Sequence, residues 1–480
     1  NFLNFYPDRN FPFQVSPLMS QPNSEMNLST SEQPTRRDFV KHATTLAAGG
    51  ALLTAGLPTA RAAGLGDREI KVALIGCGGR GTDAAVQALS TQGKVVLWSM
   101  ADAFQKQVDR SLERLNRTLQ ERWGSEAQSR IAERVQVPLE RQFAGFDAFQ
   151  KAIDSGVDLV ILATPPGFRP QHIEAAIAAG KHLFTEKPLA VDAPGVRKVL
   201  AAGKMADAKN LCVGVGLQRH HDPAYQETVK RLQEGAIGDI LLTRVYWNTG
   251  PLWVRTRTDF FKTYGHEPTE MEYQVNNWYY FNWLCGDHIV EQHMHNIDVS
   301  NWVKKGHPII AQGMGGRQRR TAADFGHIFD HHSVEYTYAD GSTMLSQCRQ
   351  MQDCWSQVAE FAKGTKGAAN ISSATIATPS GEWKYEGEKN DPYQQEHNDL
   401  FAAIRSGQPY NEMESAAHST MTAILGRMAT YSGKLIEWDM AFASEIDLSP
   451  KVYDFAADPP VMPDANGNYP IPIPGKTKVI

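Results

Sequence analysis

The stretch Ile70-Lys71-Val72-Ala73-Leu74-Ile75-Gly76-Cys77-Gly78-Gly79-Arg80-Gly81 decides the fold of this chain. Its first half is an apolar run typical of a buried strand, and its second half has the glycine spacing GxGxxG. In such a unit the first glycine allows a tight turn, the second lets the backbone approach a pyrophosphate, and the third allows close packing of helix on strand. Residues 82–89 continue with a helical pattern. The stretch therefore predicts a dinucleotide site at a helix N-terminus.

A second apolar run, residues 95–100, leads to Asp102. A carboxylate at this strand end accepts hydrogen bonds from ribose hydroxyls and repels a ribose 2′-phosphate, so Asp102 favours NAD over NADP. Two later predicted strands also end in polar or proline-containing segments, where ligands of parallel sheets bind. The predicted cofactor-binding residues are Gly76, Gly78, Gly79, Arg80, Gly81, Asp102, Thr164, Pro165, Glu186 and Lys187. A glycine-rich turn without a ligand is the alternative.

Composition restricts the classes of protein to consider. The 480 residues are 42% hydrophobic and 21% charged, which is typical of a globular chain long enough for two domains. The formal net charge of −5 argues against a nucleic acid partner. No apolar run reaches the roughly 20 residues of a membrane-spanning helix. The five cysteines lack a CxxC pair and indicate neither a disulfide framework nor a zinc ribbon.

The N-terminal stretch predicts export. Residues 1–34 are polar and aperiodic, so we expect them to be disordered. Arg36-Arg37 then precedes a weakly apolar run, residues 43–57, and the small-residue cleavage pattern Ala60-Arg61-Ala62. This order is typical of a twin-arginine signal, which predicts passage of a folded protein through the twin-arginine machinery to a periplasmic or other extracytoplasmic location. A chance arginine pair before a buried helix is the alternative.

The segment Thr185-Glu186-Lys187-Pro188-Leu189 ends a predicted strand. Together with the upstream glycines it resembles the signature of the glucose–fructose oxidoreductase and inositol dehydrogenase family (Gfo/Idh/MocA), over about residues 69–440. The resemblance implies an NAD-dependent oxidoreductase acting on CH–OH groups. It also implies that Lys187 lies between nicotinamide and substrate, where an ammonium stabilises a developing alkoxide. By itself, a Glu-Lys-Pro sequence is more often a surface turn.

The resemblance also implies the architecture, which is α/β. We expect an N-terminal Rossmann dinucleotide-binding domain and a C-terminal α/β domain with a large, open, mostly antiparallel sheet. Three runs rich in β-branched and aromatic residues, 240–247, 333–338 and 343–347, predict strands of that sheet. The predicted boundaries are 1–62 for the disordered N-terminus and signal, 63–190 for the NAD-binding domain, 191–457 for the substrate and oligomerisation domain, and 458–480 for an extended tail rich in Pro and Gly. Residues 105–141 predict a charged surface helix with one buried stripe.

Residues 286–298 predict one helix with an apolar stripe beside a polar stripe. The apolar stripe is Val290, Met294 and Ile297, and the polar stripe is Glu291, His295 and Asp298. In the resembling family a carboxylate precedes a histidine by four residues on this helix, and the match assigns these positions to Glu291 and His295. The family residue is usually Asp, so Glu291 is a departure.

His295 is the predicted base for the hydroxyl proton, since the ordinary pKa of histidine suits transfer in both directions near neutral pH. With Lys187 and Glu291 it completes the predicted catalytic set. Two alternatives remain at this point. His295 could be a core histidine bonded to the backbone, or His288, Glu291 and His295 could hold a metal, although we expect none.

Aromatic residues are dense between Trp247 and Trp283, beside Arg255, Arg257, Asn276 and Asn277. Aromatic rings next to hydrogen-bonding groups suit sugars, although core packing explains any single ring equally well. The candidate substrate residues are Arg219, His220, Trp253, Tyr280 and Arg317. We also expect a homo-oligomer, a dimer or tetramer, because resembling proteins commonly use the open sheet for contacts between copies.

The sequence thus predicts an enzyme that oxidises a secondary hydroxyl, or reduces a ketone, of a sugar, glycoside or polyol. Because an exported protein meets little free NAD, we expect the cofactor to stay bound and to be restored within each cycle. One alternative is a glycoside-cleaving enzyme that uses transient oxidation and elimination. A second is a non-catalytic sugar-binding relative.

Overall fold

The computed structural model describes residues 64–480. The predicted signal and disordered stretch, residues 1–62, lie outside the described residues. The described chain contains two sheets, each with helices packed against it. No helix among residues 64–480 is long and apolar enough to cross a membrane.

Six parallel strands form the first sheet in the order β3-β2-β1-β4-β5-β6. The strands are β1 (Ile70–Ile75), β2 (Val95–Asp102), β3 (Gln142–Ala144), β4 (Leu159–Leu162), β5 (His182–Thr185) and β6 (Val213–Val215). This order is that of the doubly wound dinucleotide-binding fold, so the predicted Rossmann architecture is confirmed. All four residues of β4 are buried, as expected for a strand covered on both faces.

Helices cover this sheet and lie between its strands along the chain. They are α1 (Gly79–Leu89), α2 (Gln105–Trp123), α3 (Ala127–Arg134), α4 (Ala148–Ile153), α5 (Arg169–Ala178) and α6 (Ala193–Ala208). The expected surface helix over 105–141 is only partly correct. Its stripe is buried in α2 at Val108, Leu115 and Leu119. However, Gly124 has φ +55 and ends α2, and α3 and a short 3-10 turn follow within the region before the edge strand β3 begins.

Nine strands form the second sheet in the order β14-β13-β12-β11-β7-β10-β9-β8-β15. The strands are β7 (Ile240–Thr249), β8 (Ile310–Gly316), β9 (His331–Thr337), β10 (Thr343–Gln350), β11 (Gln357–Gly364), β12 (Ala368–Asn370), β13 (Thr375–Thr378), β14 (Gly381–Lys384) and β15 (Ile436–Glu437). Only the pair β7 and β10 is parallel. The predicted large, mostly antiparallel sheet is therefore confirmed.

The helices of the second half are mostly short. They are α7 (Pro223–Gln233), α8 (Arg257–Tyr264), α9 (Glu270–Asn276), α10 (Asn282–Cys285), α11 (His288–Glu291), α12 (Met294–Lys304), α13 (Pro392–Ser406), α14 (Met413–Ser432) and α15 (Trp438–Phe442). The central helix α14 contacts both β8 and α6, so it packs between the second sheet and the helices of the first. From residue 443 to residue 480 the chain contains no helix or strand.

The chain returns to the first sheet near its end. α13 contacts α1 and β6, and its residues Leu400, Phe401 and Ile404 join the core formed by β1 and β2. Rings of the last segment also pack there, since Phe455 lies with its centroid 4.5 Å from that of Phe146, just after β3. Residues from the C-terminal part of the chain thus complete the nucleotide-binding half.

Candidate dinucleotide and active site

A cavity of about 340 Å³ lies at the carboxyl ends of the first sheet's strands. This is the edge at which parallel sheets bind ligands. Eight of the ten predicted cofactor residues line it: Gly76, Gly78, Gly79, Arg80, Gly81, Asp102, Thr164 and Pro165. The other two, Glu186 and Lys187, follow β5 and do not line this cavity.

The three motif glycines each meet a different steric requirement. Gly76 has φ +97, and a side chain there would collide with the backbone of Ala163 and Thr164. A Cβ at Gly81 would overlap the Gly76 carbonyl oxygen. A Cβ at Gly78 would instead meet nothing within 4 Å and would enter the cavity. The free space at Gly78 fits the close approach of a pyrophosphate, so the residues present suit a bound dinucleotide.

Asp102 holds the glycine loop as well as facing the cavity. Its Oδ2 accepts the Cys77 N–H at 2.7 Å, and its Oδ1 accepts the Phe104 N–H at 3.1 Å. Burial raises the pKa of this carboxyl, and the two backbone N–H groups oppose that shift. Each oxygen retains a further lone pair for a ribose hydroxyl.

Arg80 was expected to bind the cofactor, but its side chain is committed elsewhere. Nε lies 2.5 Å from Glu186 Oε1, and Nη2 lies 2.8 Å from Glu396 Oε1 of α13. Nη1 donates to Gln87 Oε1 at 2.8 Å. Each of the three guanidinium nitrogens thus has a partner within the protein, and Glu186 and Glu396 balance the charge of Arg80. Glu186 is likewise the partner of Arg80 rather than a wall of the cavity.

Lys187 lies against Glu291 of α11. Its Nζ donates to the Glu291 carbonyl oxygen at 2.5 Å and lies 3.3 Å from Oε1, with side-chain exposures of 12% and 15%. Pro188, the residue after Lys187, is also held in place, because the buried Arg169 donates to its carbonyl oxygen at 2.6 Å. The longer side chain of Glu291 thus reaches the lysine, and the two form one polar group.

His295 lies beside this pair, but on a separate helix. The expectation of a single helix over 286–298 is wrong, since α11 ends at Glu291 and α12 begins at Met294. Burial lowers the pKa of His295 well below 6.5, and the charges of Lys187 and Arg219 lower it further. The ring is therefore neutral at neutral pH. The structure therefore corrects the expectation of a near-neutral pKa for His295 to a lower one.

Two of the five candidate substrate residues are near His295. The charges of Arg219 and His220 both act on its pKa. Each is held by a buried carboxylate: Arg219 Nη1 lies 2.7 Å from Glu360 Oε1, and His220 Nε2 lies 2.7 Å from Asp298 Oδ2. Their heads are therefore fixed, which suits orientation of a polar substrate.

The other three candidates lie elsewhere. Trp253 lines the dinucleotide cavity. Tyr280 has no exposed surface, and its hydroxyl donates to the Trp253 carbonyl oxygen at 2.9 Å, so it belongs to the core. Arg317 donates to the backbone carbonyls of Ala322 and Gly326 and closes a loop. The Tyr280 hydroxyl and both terminal nitrogens of Arg317 donate within the protein, which argues against contact of these groups with substrate.

A buried cluster of one aspartate and two histidines supports α11 at its N-terminus. Within residues 64–480, one group of three potential metal ligands comes close enough for a single ion, namely Asp287, His288 and His332. Asp287 has φ +71 and is wholly buried. Its Oδ1 accepts from the backbone N–H and Nδ1 of His288, and its Oδ2 accepts from the Phe329 N–H and the Tyr431 hydroxyl. Both oxygens are saturated, so the cluster anchors α11. It differs from the set His288, Glu291 and His295 considered above.

Sequence reasoning missed much of the cavity wall. Apart from the glycine loop and strand ends, the wall includes Phe104, Gln107, Phe146, Phe149, Phe168, His172, Arg255, Val275, Asn276 and Trp278. The aromatic cluster after β7 was visible in the sequence, but we assigned it to the substrate. The structure places Trp253, Arg255 and Trp278 against the dinucleotide cavity instead.

The fold and this site define a Rossmann dinucleotide-binding protein. The family model for the oxidoreductase family with an NAD-binding Rossmann fold, Gfo/Idh/MocA, matches residues 70–217. Those residues are therefore similar to the NAD-binding Rossmann domain of that family. The chain is similar to inositol 2-dehydrogenase of Acidothermus cellulolyticus, with 39% identity over 92 residues, 19% of this chain and 26% of that protein.

Two further comparisons also find similarity to inositol dehydrogenases. scyllo-Inositol 2-dehydrogenase (NADP⁺) of Bacillus subtilis is 27% identical over 175 residues, 36% of this chain and 43% of that protein. Matches thus span less than half the length of these curated relatives. The structure of scyllo-inositol dehydrogenase from Lactobacillus casei with bound NAD(H) and scyllo-inositol shares the fold, with a TM-score of 0.56, 18% identity, and coverage of 78% of this chain and 100% of that one.

Proposed function

We propose that the protein is an NAD-dependent oxidoreductase that acts on a secondary hydroxyl or ketone of a sugar, glycoside or polyol. One observation carries the proposal: Lys187 Nζ lies 3.3 Å from Glu291 Oε1 beside the neutral ring of His295. Lys187 follows β5, which neighbours β4 in the sheet, and the residues after β4 line the dinucleotide cavity. The relatives' own names, inositol dehydrogenases, support a polyol as the class of substrate.

Each residue has a definite part in oxidation of an alcohol. A bound nicotinamide supplies the hydride acceptor. The unprotonated ring nitrogen of His295 takes the proton of the substrate hydroxyl. The Lys187 ammonium donates a hydrogen bond to the same oxygen and stabilises its developing negative charge. Glu291 fixes Lys187 through its carboxylate and backbone carbonyl. Arg219 and His220 orient the remaining hydroxyls.

NAD is the proposed cofactor because Asp102 stands at the ribose position of the fold. We further propose that the dinucleotide stays bound through many turnovers after export by the twin-arginine route. Arg36-Arg37 with the following apolar run supports export. The enclosure of the cavity by Trp253, Arg255 and Trp278 from outside the first sheet supports retention. Purified protein should then release nearly one nucleotide per chain on denaturation, and protein that carries none would contradict retention.

A homo-oligomer is also part of the proposal. Met314 is 80% exposed and Leu345 is 37% exposed. In the strand register both side chains lie on the face opposite the buried Ala311, Val334 and Met344. Light scattering that gives a dimer or tetramer mass would support assembly, and a monomer at all concentrations would contradict it.

The activity is tested by a substrate screen with the purified protein. Inositols, aldoses and nitrophenyl glycosides are supplied with NAD, and both nucleotide reduction and aglycone release are followed. Reduction of the nucleotide, bound or free, by a polyol or sugar is the expected result. Aglycone release without net reduction would indicate the glycoside-cleaving alternative. Neither signal with any substrate, in protein shown to bind NAD, would overturn the proposed activity.

A further inference from the structure

The segment that follows β7 contributes a cation to the dinucleotide cavity. Arg255 belongs to neither the first sheet nor its helices, yet it lines the same cavity as Gly78 and Asp102. Trp253 accompanies it, and both precede α8. This positive charge does not come from the glycine motif. Arg80, the arginine of that motif, already pairs with Glu186 and Glu396.

The side chain of Arg255 is held in place. Its Nη1 donates to the Asn276 carbonyl oxygen at 3.1 Å, and its backbone N–H donates to Asn277 Oδ1 at 3.0 Å. The guanidinium carbon lies 4.8 Å from the centroid of the Trp253 ring. These contacts fix the plane of the guanidinium before any ligand arrives, so little rotamer entropy remains to be lost on binding.

The charge of Arg255 has no ionic partner among residues 64–480. No carboxylate lies within ion-pair distance, and Nε and Nη2 donate to no described group. The negative charge of Asp102 raises the pKa of Arg255 without forming an ion pair, and the Asp102 oxygens already accept two backbone N–H groups. Burial lowers the pKa of Arg255, and the positive charge of Arg110 adds to this. A partly buried guanidinium that lines a cavity and keeps two free donors is suited to bind an anion.

We propose that Arg255 binds a phosphate group of the dinucleotide through Nε and Nη2. A guanidinium fork matches two phosphate oxygens, which Lys cannot do with the same geometry. The inference rests on the proposed function, since the ligand is the cofactor. With NAD, the proposed cofactor, the phosphate is that of the pyrophosphate bridge; a 2′-phosphate is present only in NADP, and experiment distinguishes the two sources.

The test measures binding rather than turnover. Residual nucleotide is first removed from the full-length protein, and NAD, NADP, ADP-ribose and adenosine are titrated calorimetrically into wild type, Arg255→Gln and Arg255→Lys. Loss of a charge-assisted pair lowers affinity by about 10- to 100-fold. The matched control is Arg257→Gln, since Arg257 lies two residues away, pairs with Glu270 at 2.5 Å and does not line the cavity.

The ligands separate the outcomes. An equal loss for NAD, NADP and ADP-ribose in Arg255→Gln assigns the pyrophosphate, and a loss for NADP alone assigns the 2′-phosphate. Adenosine affinity should not change in either case, and Arg255→Lys should recover part of the loss. Unchanged affinities for all phosphate-bearing ligands, or an equal loss for adenosine, would overturn the proposal. Failure of the wild type to bind any dinucleotide would instead reject the proposed function.

Discussion

Arg80 Nε lies 2.5 Å from Glu186 Oε1, so an ion pair joins the glycine loop to the residue before Lys187. The same guanidinium reaches Glu396 of α13 at 2.8 Å. The side chains of Glu186 and Glu396 are only 6% and 1% exposed. One arginine therefore connects the proposed phosphate loop, the proposed catalytic strand end and a helix from the C-terminal part of the chain.

Removal of Arg80 should lower the free energy of unfolding by more than the loss of one exposed ion pair does. Arg80→Ala leaves two nearly buried carboxylates without a cation, which costs about 3–5 kcal/mol in comparable pairs. The free energy of unfolding is measured by urea titration. Arg114→Ala is the control, because Arg114 and Asp83 form an exposed pair worth about 0–1 kcal/mol. Equal losses in the two variants would contradict the linking role of Arg80.

Lys187→Ala should lower kcat by about 100- to 1,000-fold, since the ammonium acts on charge that develops in the transition state. Dinucleotide affinity should stay near wild type, because Lys187 does not line the cavity, whereas loss of the cation beside the largely buried Glu291 should lower the urea midpoint. Lys204→Ala, on an exposed position of α6, serves as the control. Wild-type turnover in Lys187→Ala would remove this lysine from the mechanism.

The acid limb of the pH–rate profile should lie below pH 6.5. Burial and the charge of Lys187 lower the pKa of His295, so the neutral ring that accepts a proton persists into mild acid. His295→Gln should reduce kcat by about 100-fold or more and abolish that limb. His266→Gln, at an exposed turn, should keep both the wild-type kcat and the acid limb. An active His295→Gln variant with an unaltered limb would favour a core histidine.

Stability should fall as the pH rises above about 6.5, partly because of His221. Burial alone lowers the pKa of His221, but its hydrogen bonds to Asp399 and Glu412 outweigh this and raise the pKa to about 10. A raised pKa contributes stability that is complete below the unfolded value of 6.5 and is lost as the pH approaches 10.

The prediction is checked by urea titration at pH 7.5 and pH 9.5. His221→Gln should remove a slope of about 1.4 kcal/mol per pH unit from the free energy of unfolding. His172→Gln should leave the slope intact, because burial lowers the pKa of His172 to about 3 and it stays neutral at both pH values. Identical slopes in wild type and His221→Gln would show that the histidine is unprotonated.

Export should depend on the arginine pair. Replacing Arg36 and Arg37 by Lys should leave the folded protein in the cytoplasm, because the twin-arginine machinery reads this pair as an address. Fractionation of cells that express the full chain measures the distribution. Normal export of the double variant would contradict the signal, while single Arg37→Lys gives the graded control.

The Rossmann half could be predicted because its signals are local. The strand before Gly76 and the carboxylate at Asp102 are sequence neighbours of the site they build. Lys187 was found through a motif at one strand end. Each of these features depends on a few consecutive residues, and a local pattern is sufficient to identify them.

The errors concern contacts between distant segments. Periodicity could not reveal that α11 ends at Glu291, before His295, since the spacing of the apolar residues continues through the break. Nothing in the sequence near Arg255 indicates that it faces the dinucleotide cavity. Tyr280 and Trp253 look alike in a list of aromatic residues, and only tertiary packing places one in the core and the other at the cavity.

The return of α13 to the first sheet affects how the protein can be made. Leu400, Phe401 and Ile404 fill the core beside β1, although the ribosome adds them long after β6. Phe455, which packs on Phe146, is added later still. The nucleotide-binding half is thus one unit in space, but in the sequence most strands of the second sheet lie between β6 and α13. A chain truncated before α13 therefore exposes the apolar surface that these residues cover.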